Sequence, residues 1–146
     1  MVSSFSRDKG IRGEEMRAGL LVVAALALAG FIAVAFVMPS MAGSRAKEAG
    51  QALVAGAETP KQQVSAAAEK NGKLEGSGAG IKVASKSDAK YGELQWIVSE
   101  NGAIRGWNRD NGLEVTILPT LQSGKVSWNC RGYPVDAMPV NCGGKP

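Results

Sequence analysis

Ala18 to Met38 (AGLLVVAALALAGFIAVAFVM) runs for 21 residues without a charge. As one helix it would be about 31 Å long, close to the thickness of a bilayer core. No other feature constrains the chain as much, because such a stretch is costly to leave in water. The flanks decide what kind of segment it is. A secretory signal has a shorter apolar core, of about 7–15 residues, and then a small-residue cleavage site. Here Pro39-Ser40-Met41-Ala42-Gly43 follows the apolar run. A cut near Met41–Gly43 and a plain signal-anchor helix are two readings. A third comes from Arg7-Asp8-Lys9-Gly10 upstream, a short charged leader ending in glycine.

Downstream, Ala46, Ala49, Leu53, Val54, Ala57, Val64 and Ala67 or Ala68 recur at helical spacing among Glu, Lys and Gln. This predicts an amphipathic helix over 44–72. Pro39 is expected to kink or locally open the helix before it. Thr59-Pro60 reads as a fresh start, with Thr59 as N-cap and Pro60 in the first turn. Asn71-Gly72 reads as the stop.

The period then changes. Residues 73–91 read as a linker, flexible at Gly76-Ser77-Gly78-Ala79-Gly80. Leu94, Trp96 and Val98 alternate as a half-buried strand does. Glu100-Asn101-Gly102 turns the chain, and Ala103–Trp107 returns. Asn108–Gly112 turns again, Leu113–Leu118 is a third strand ended by Pro119, and Gln122-Ser123-Gly124 is a third turn. Val126, Trp128 and Cys130 alternate in a fourth strand. The expectation is an antiparallel meander over 92–130, with the amphipathic helix covering its apolar face. All three tryptophans, Trp96, Trp107 and Trp128, fall in this part, so the packed core is expected there.

Cys130 and Cys142 are the two cysteines. In an exported domain they are expected to form one disulfide around Arg131–Asn141. The chain holds no histidine, which excludes any triad, zinc site or proton relay built on imidazole. Asp110, Asn111 and Glu114 lack the Asp-x-Asp-x-Asp spacing of a calcium loop. No catalytic constellation, metal site or cofactor site is expected. Net charge is +4, with scattered charges and no run of Lys and Arg interleaved with aromatics. They read as a solvated surface, and nucleic acid stays an open partner.

In this order, the parts resemble a type IV pilin of the Gram-negative, type IVa kind. The sharpest match is the tail. Gly124-Lys125-Val126-Ser127-Trp128-Asn129-Cys130 followed by Met138-Pro139-Val140-Asn141-Cys142 is similar to the family's G-x-(I/V)-x-W-x-C … L-P-x-x-C ending. The resemblance implies an α+β pilin fold. A long N-terminal helix, transmembrane half plus amphipathic half, packs on a four-stranded antiparallel sheet closed by a C-terminal disulfide loop over 130–142. It divides the chain into a leader over 1–10, a transmembrane and fibre-core helix over 11–43, and a head over 44–146.

The implied processing is a cut after Gly10 by the prepilin peptidase, leaving Ile11, N-methylated, as the first residue. Glu15 would then be fifth and would neutralise the N-terminal ammonium of a neighbouring subunit. Arg12, Glu14 and Arg17 are charged where the family is apolar, and Pro39 stands about two helical turns later than the family's proline. Aligned on that proline the fifth residue is Val22, so a two-turn insertion and different processing are both open. The implied function is assembly without catalysis. The precursor would sit in the inner membrane, with Arg7, Lys9, Arg12 and Arg17 cytoplasmic. The assembly machinery would then polymerise it into a helical surface filament, with motility, adhesion, DNA uptake, conjugation and conduction all open as its role. A minor pilin, a type II secretion pseudopilin and a signal-anchored periplasmic domain are the alternatives.

Overall fold

The computed structural model describes residues 20–28 and 38–146. Residues 20–28 are helical. From Ala42 the chain forms a head, an α+β unit in which two helices cover one face of a five-stranded antiparallel sheet.

Helix α1 covers Met38–Gly56 and α2 covers Glu58–Asn71, so the single helix expected over 44–72 is two. Pro60 is the cause. It stands four residues after Gly56, has no N–H to donate to the Gly56 carbonyl, and its ring crowds that carbonyl. The Ala57 N–H turns back to the Val54 carbonyl at 3.2 Å. Ala57, not Thr59, precedes the first turn of α2, and no side chain caps it. Gly72 ends α2 in the left-handed conformation, at φ 69°, where glycine carries no Cβ penalty. Ala49, Leu53, Ala57, Val64 and Ala68 are fully buried. They make the apolar stripe that the spacing predicts.

The strands follow in chain order as a meander: β1 Lys86–Asp88, β2 Gly92–Val98, β3 Ile104–Asn108, β4 Leu113–Gln122 and β5 Lys125–Tyr133. Four strands were expected; β1 is the fifth. It lies inside the expected linker and pairs Lys86–Asp88 with Gly92–Leu94. Its side chains are mostly exposed and carry no apolar alternation, so no burial pattern announces it. The stretch expected to be flexible is packed as well. Ser77 and Gly78 are buried, the Gly78 N–H donates to the Glu100 carbonyl at 3.0 Å, and a Cβ on Gly78 would strike the Ser99 carbonyl.

β4 also runs past Pro119. β3 begins at Ile104, opposite Ile117, so beyond that point β4 has β5 alone as neighbour. Proline is tolerated on such an open edge. The β4–β5 hairpin closes at Ser123-Gly124, with φ 49° and 75°, the two positive angles of a type I′ turn.

Leu94 and Trp96 on β2, Ile104 on β3, and Leu113, Val115 and Ile117 on β4 face the helices and are buried with Leu53. Each fully buried leucine or isoleucine contributes about 1.5–3 kcal/mol. Trp96 organises this core. It pairs with Gly106, where a Cβ would come within 2.8 Å of the indole. On the other side a Cβ on Gly56 would strike its six-membered ring. Two glycines therefore make room for one ring. Its Nε1 donates to the Leu53 carbonyl at 2.9 Å. That is the carbonyl left over when Ala57 turns back to Val54 at the helix break.

α2 lies along β5. Trp128 Nε1 donates to Ser65 Oγ at 3.1 Å, and Lys61 Nζ stands 5.8 Å from the ring centre. One turn on, Glu69 Oε1 accepts from the Val126 N–H at 3.1 Å, and Lys125 Nζ lies 3.5 Å from the same carboxylate. The Val126 N–H bond, aided by the Lys125 charge, holds the Glu69 carboxyl below its usual range against a smaller opposing effect of desolvation. β5 is an edge strand, and Glu69 occupies an N–H that would otherwise be open to pairing with another chain.

Candidate functional site

Three places carry the expected function: the apolar N-terminal helix, the disulfide tail and the exposed face of the head. Of the helix, residues 20–28 are described. Leu20, Leu21, Val22, Val23, Leu26 and Leu28 are all 58–71% exposed. Six large apolar side chains among these nine residues thus face solvent, whereas single exposed ones are ordinary. Gly10, Ile11 and Glu15, the expected processing and charge-pairing residues, lie outside the described residues. Most of the expected span Ala18–Met38 does too. Among the described residues no helix is long and apolar enough to cross a membrane. Pro39 is helical, in the described part of α1. The kink expected before it falls on residues outside those described.

At the tail, Cys130 and Cys142 are bonded to each other, as expected. Cys130 lies in β5, and Cys142 ends the short 3-10 turn Val140–Cys142. A second such turn, Val135–Ala137, lies between them. Within the loop Ala137 and Met138 are buried, and so is Cys142. Gly50 on α1 lets the Ala137 carbonyl come close, and Gly132 on β5 makes room for the Met138 side chain. Any side chain at either glycine would collide. The bridge therefore clamps the loop onto both α1 and β5. Tyr133, Val135 and Val140 remain on its outside as exposed apolar residues.

A further clasp went unseen in the sequence. Asn108 at the end of β3 is fully buried. Its Nδ2 donates to the carbonyls of Tyr91, at 2.7 Å, and Glu93, at 2.9 Å. Its Oδ1 accepts from Asn111, both from the backbone N–H at 3.1 Å and from Nδ2 at 2.7 Å. One side chain thereby joins the β1–β2 and β3–β4 turns with all its hydrogen-bonding capacity met. NRDNG announces a turn, but nothing in it says that Asn108 points inward. Beside it, burial raises the Tyr91 phenol above its usual range, and the Asp88 carboxylate adds to the effect.

Trp107 lies on the outer face of the sheet, unlike Trp96. It faces away from the helices, half-buried, and its Nε1 donates to Gln95 Oε1 at 2.7 Å. Next to it Arg105 pairs with Glu114. Among the described residues no three of Cys, Asp and Glu cluster to hold a metal ion.

Compared with models of known families, with curated proteins and with solved structures, the chain finds no match. Its function is therefore argued from its own residues.

Proposed function

We propose that the chain is the structural subunit of a type IV pilus-like filament. One observation carries this reading: six large apolar side chains on residues 20–28 are exposed, and the head has a hydrophobic core of its own. Burying the two thirds of each that is still exposed would contribute about 6–12 kcal/mol in all, from about 1.5–3 kcal/mol for a whole side chain. A membrane supplies that burial for a stored subunit, and neighbouring copies of the same helix supply it in a fibre. Gly19, Ala24, Ala25, Ala27, Ala29 and Gly30 permit the close backbone approach such a bundle needs. In this reading the subunit waits in the inner membrane, the prepilin peptidase cuts after Gly10, and the assembly machinery adds it to an extracellular filament. Glu15 would then pair with the ammonium of a neighbouring Ile11, because a lone carboxylate in an apolar core is far costlier than a paired one. The disulfide-clamped tail supports the reading, since it gives the head the closed end of a pilin.

The test is intact mass with N-terminal peptide mapping on sheared surface filaments. A chain beginning at methylated Ile11 and carrying one disulfide is expected. Absence from filaments would overturn the proposal in favour of a pseudopilin or an anchored domain. A filament chain that still starts at Met1 would keep the assembly role and remove the partner assigned to Glu15.

A further inference from the structure

The outer face of the sheet holds a cleft that assembly through the N-terminal helix does not use. Trp107, Arg109, Glu114, Thr116, Arg131 and Tyr133 line it. They come from β3, β4, β5 and the β3–β4 turn, and are scattered over 27 positions of the sequence. Strand pairing puts Trp107, Glu114 and Tyr133 in one row across three strands. At about 4.8 Å between strands the two aromatic residues stand roughly 10 Å apart.

The side chains of this cleft are set for an anion with flat faces. The indole N–H of Trp107 is already held by Gln95, which fixes the ring, and Trp107 lines the cleft. Tyr133 is 73% exposed. Glu114 is the one carboxylate of the lining, and Arg105 already neutralises it, donating from both Nε and Nη2 to Oε1. The Asp110 carboxylate, next in sequence to Arg109, lies against Gly92 instead. Among the described residues neither Arg109 nor Arg131 pairs with a carboxylate. The cleft therefore presents two uncompensated guanidinium groups beside two aromatic faces. A guanidinium fork suits phosphate oxygens, and an aromatic face suits an unpaired base. Duplex DNA keeps its base faces hidden in the stack and would leave Trp107 and Tyr133 without a role.

We propose that this cleft binds single-stranded nucleic acid, with phosphates on Arg109 and Arg131 and bases stacked on Trp107 and Tyr133. The proposal concerns the head of a single chain and does not depend on filament formation. Two neutralised phosphates predict a plot of log affinity against log salt with a slope of about −1.4, at 0.7 per phosphate on a single strand.

The experiment is fluorescence anisotropy of a labelled oligodeoxythymidylate, titrated with the full chain in uncharged detergent micelles at several salt concentrations. Arg109→Gln and Arg131→Gln are each expected to lower the slope by about 0.7. Tyr133→Ala is expected to weaken binding about five-fold or more with the slope unchanged. Lys73→Gln, outside the cleft, is expected to change neither. All four positions are exposed, and unchanged thermal melting verifies the fold of each variant. Lack of binding at low salt would overturn the proposal. So would binding that ignores the cleft variants, which would be general attraction to a chain of charge +4. Binding of polygalacturonate in place of the oligonucleotide, sensitive to the same variants, would overturn it in favour of an acidic polysaccharide.

Discussion

Gly56→Ala should destabilise the head when residue 96 is Trp and stabilise it when residue 96 is Phe. In the native protein a Cβ at position 56 meets Cζ2 of Trp96, with Cε2 and Cη2 each at 2.8 Å. Overpacking of this kind costs about 1–3 kcal/mol. Trp96→Phe removes Cζ2 and Cη2 and opens that space. It also removes the indole N–H, leaving the buried Leu53 carbonyl without its donor at a cost of about 1–3 kcal/mol. The lost ring area adds about 1 kcal/mol more. The single Phe variant should thus lose about 2–4 kcal/mol, which lowers the melting midpoint of a head this size by at least about 8 °C. In the Phe background, Gly56→Ala meets no ring and gains the helix preference of alanine, about 0.5–1 kcal/mol. The assay is a double-mutant cycle by denaturant unfolding of the full chain in micelles, followed by near-UV circular dichroism. A coupling of about 1.5 kcal/mol or more is expected. Additive effects would show that Trp96 does not occupy the gap left by Gly56.

Reducing the Cys130–Cys142 bridge, or replacing both cysteines by serine, should cost about 3 kcal/mol from the freed loop, read as a lower melting midpoint. Equal midpoints with and without reductant would refute a structural role. Asn108→Ala should cost about 1–3 kcal/mol, because the Glu93 carbonyl and the Asn111 amide each lose a buried partner; a neutral change by chemical denaturation would show that Asn111 alone holds both turns. The Glu69 carboxyl ionises more readily in the folded chain than its ordinary 4.5, so its stabilising contribution is full above that pH and is lost as pH falls through the lower folded value. The stability difference between the native chain and Glu69→Gln should accordingly shrink below about pH 4.5 in melts across pH; a constant difference would place the effect elsewhere.

Much of the head was legible before any coordinates. The stripe Ala49, Leu53, Ala57, Val64, Ala68 shows at helical spacing because each position packs on the same sheet, and burial repeats with the helix. Leu94, Trp96, Val126 and Trp128 show at spacing two for the same reason. β1 was not legible, since its three residues are joined to β2 by backbone pairing and bury no apolar side chain. The helix break was half legible: Thr59-Pro60 marked it, but the residue that turns is Ala57, set by the carbonyl that Pro60 cannot serve. Pro119 misled because a proline ends a strand only where its N–H is needed, and that depends on where β3 begins.

By itself, then, the sequence determined most of the local elements: the helical region, four of the five strands, where glycine turns the chain, which two cysteines meet, and that one long segment is too apolar to rest in water. These follow from preferences that act over a few neighbours. Only the tertiary structure decided that Trp107 faces outward, that Asn108 holds two turns, and that Arg109, Arg131, Trp107 and Tyr133 share one cleft. The physical reason is register. A side chain's face depends on which residue stands opposite it on the next strand, and a shift of one position reverses it. No local preference records that pairing; it is set by the packing of the whole sheet against α1 and α2.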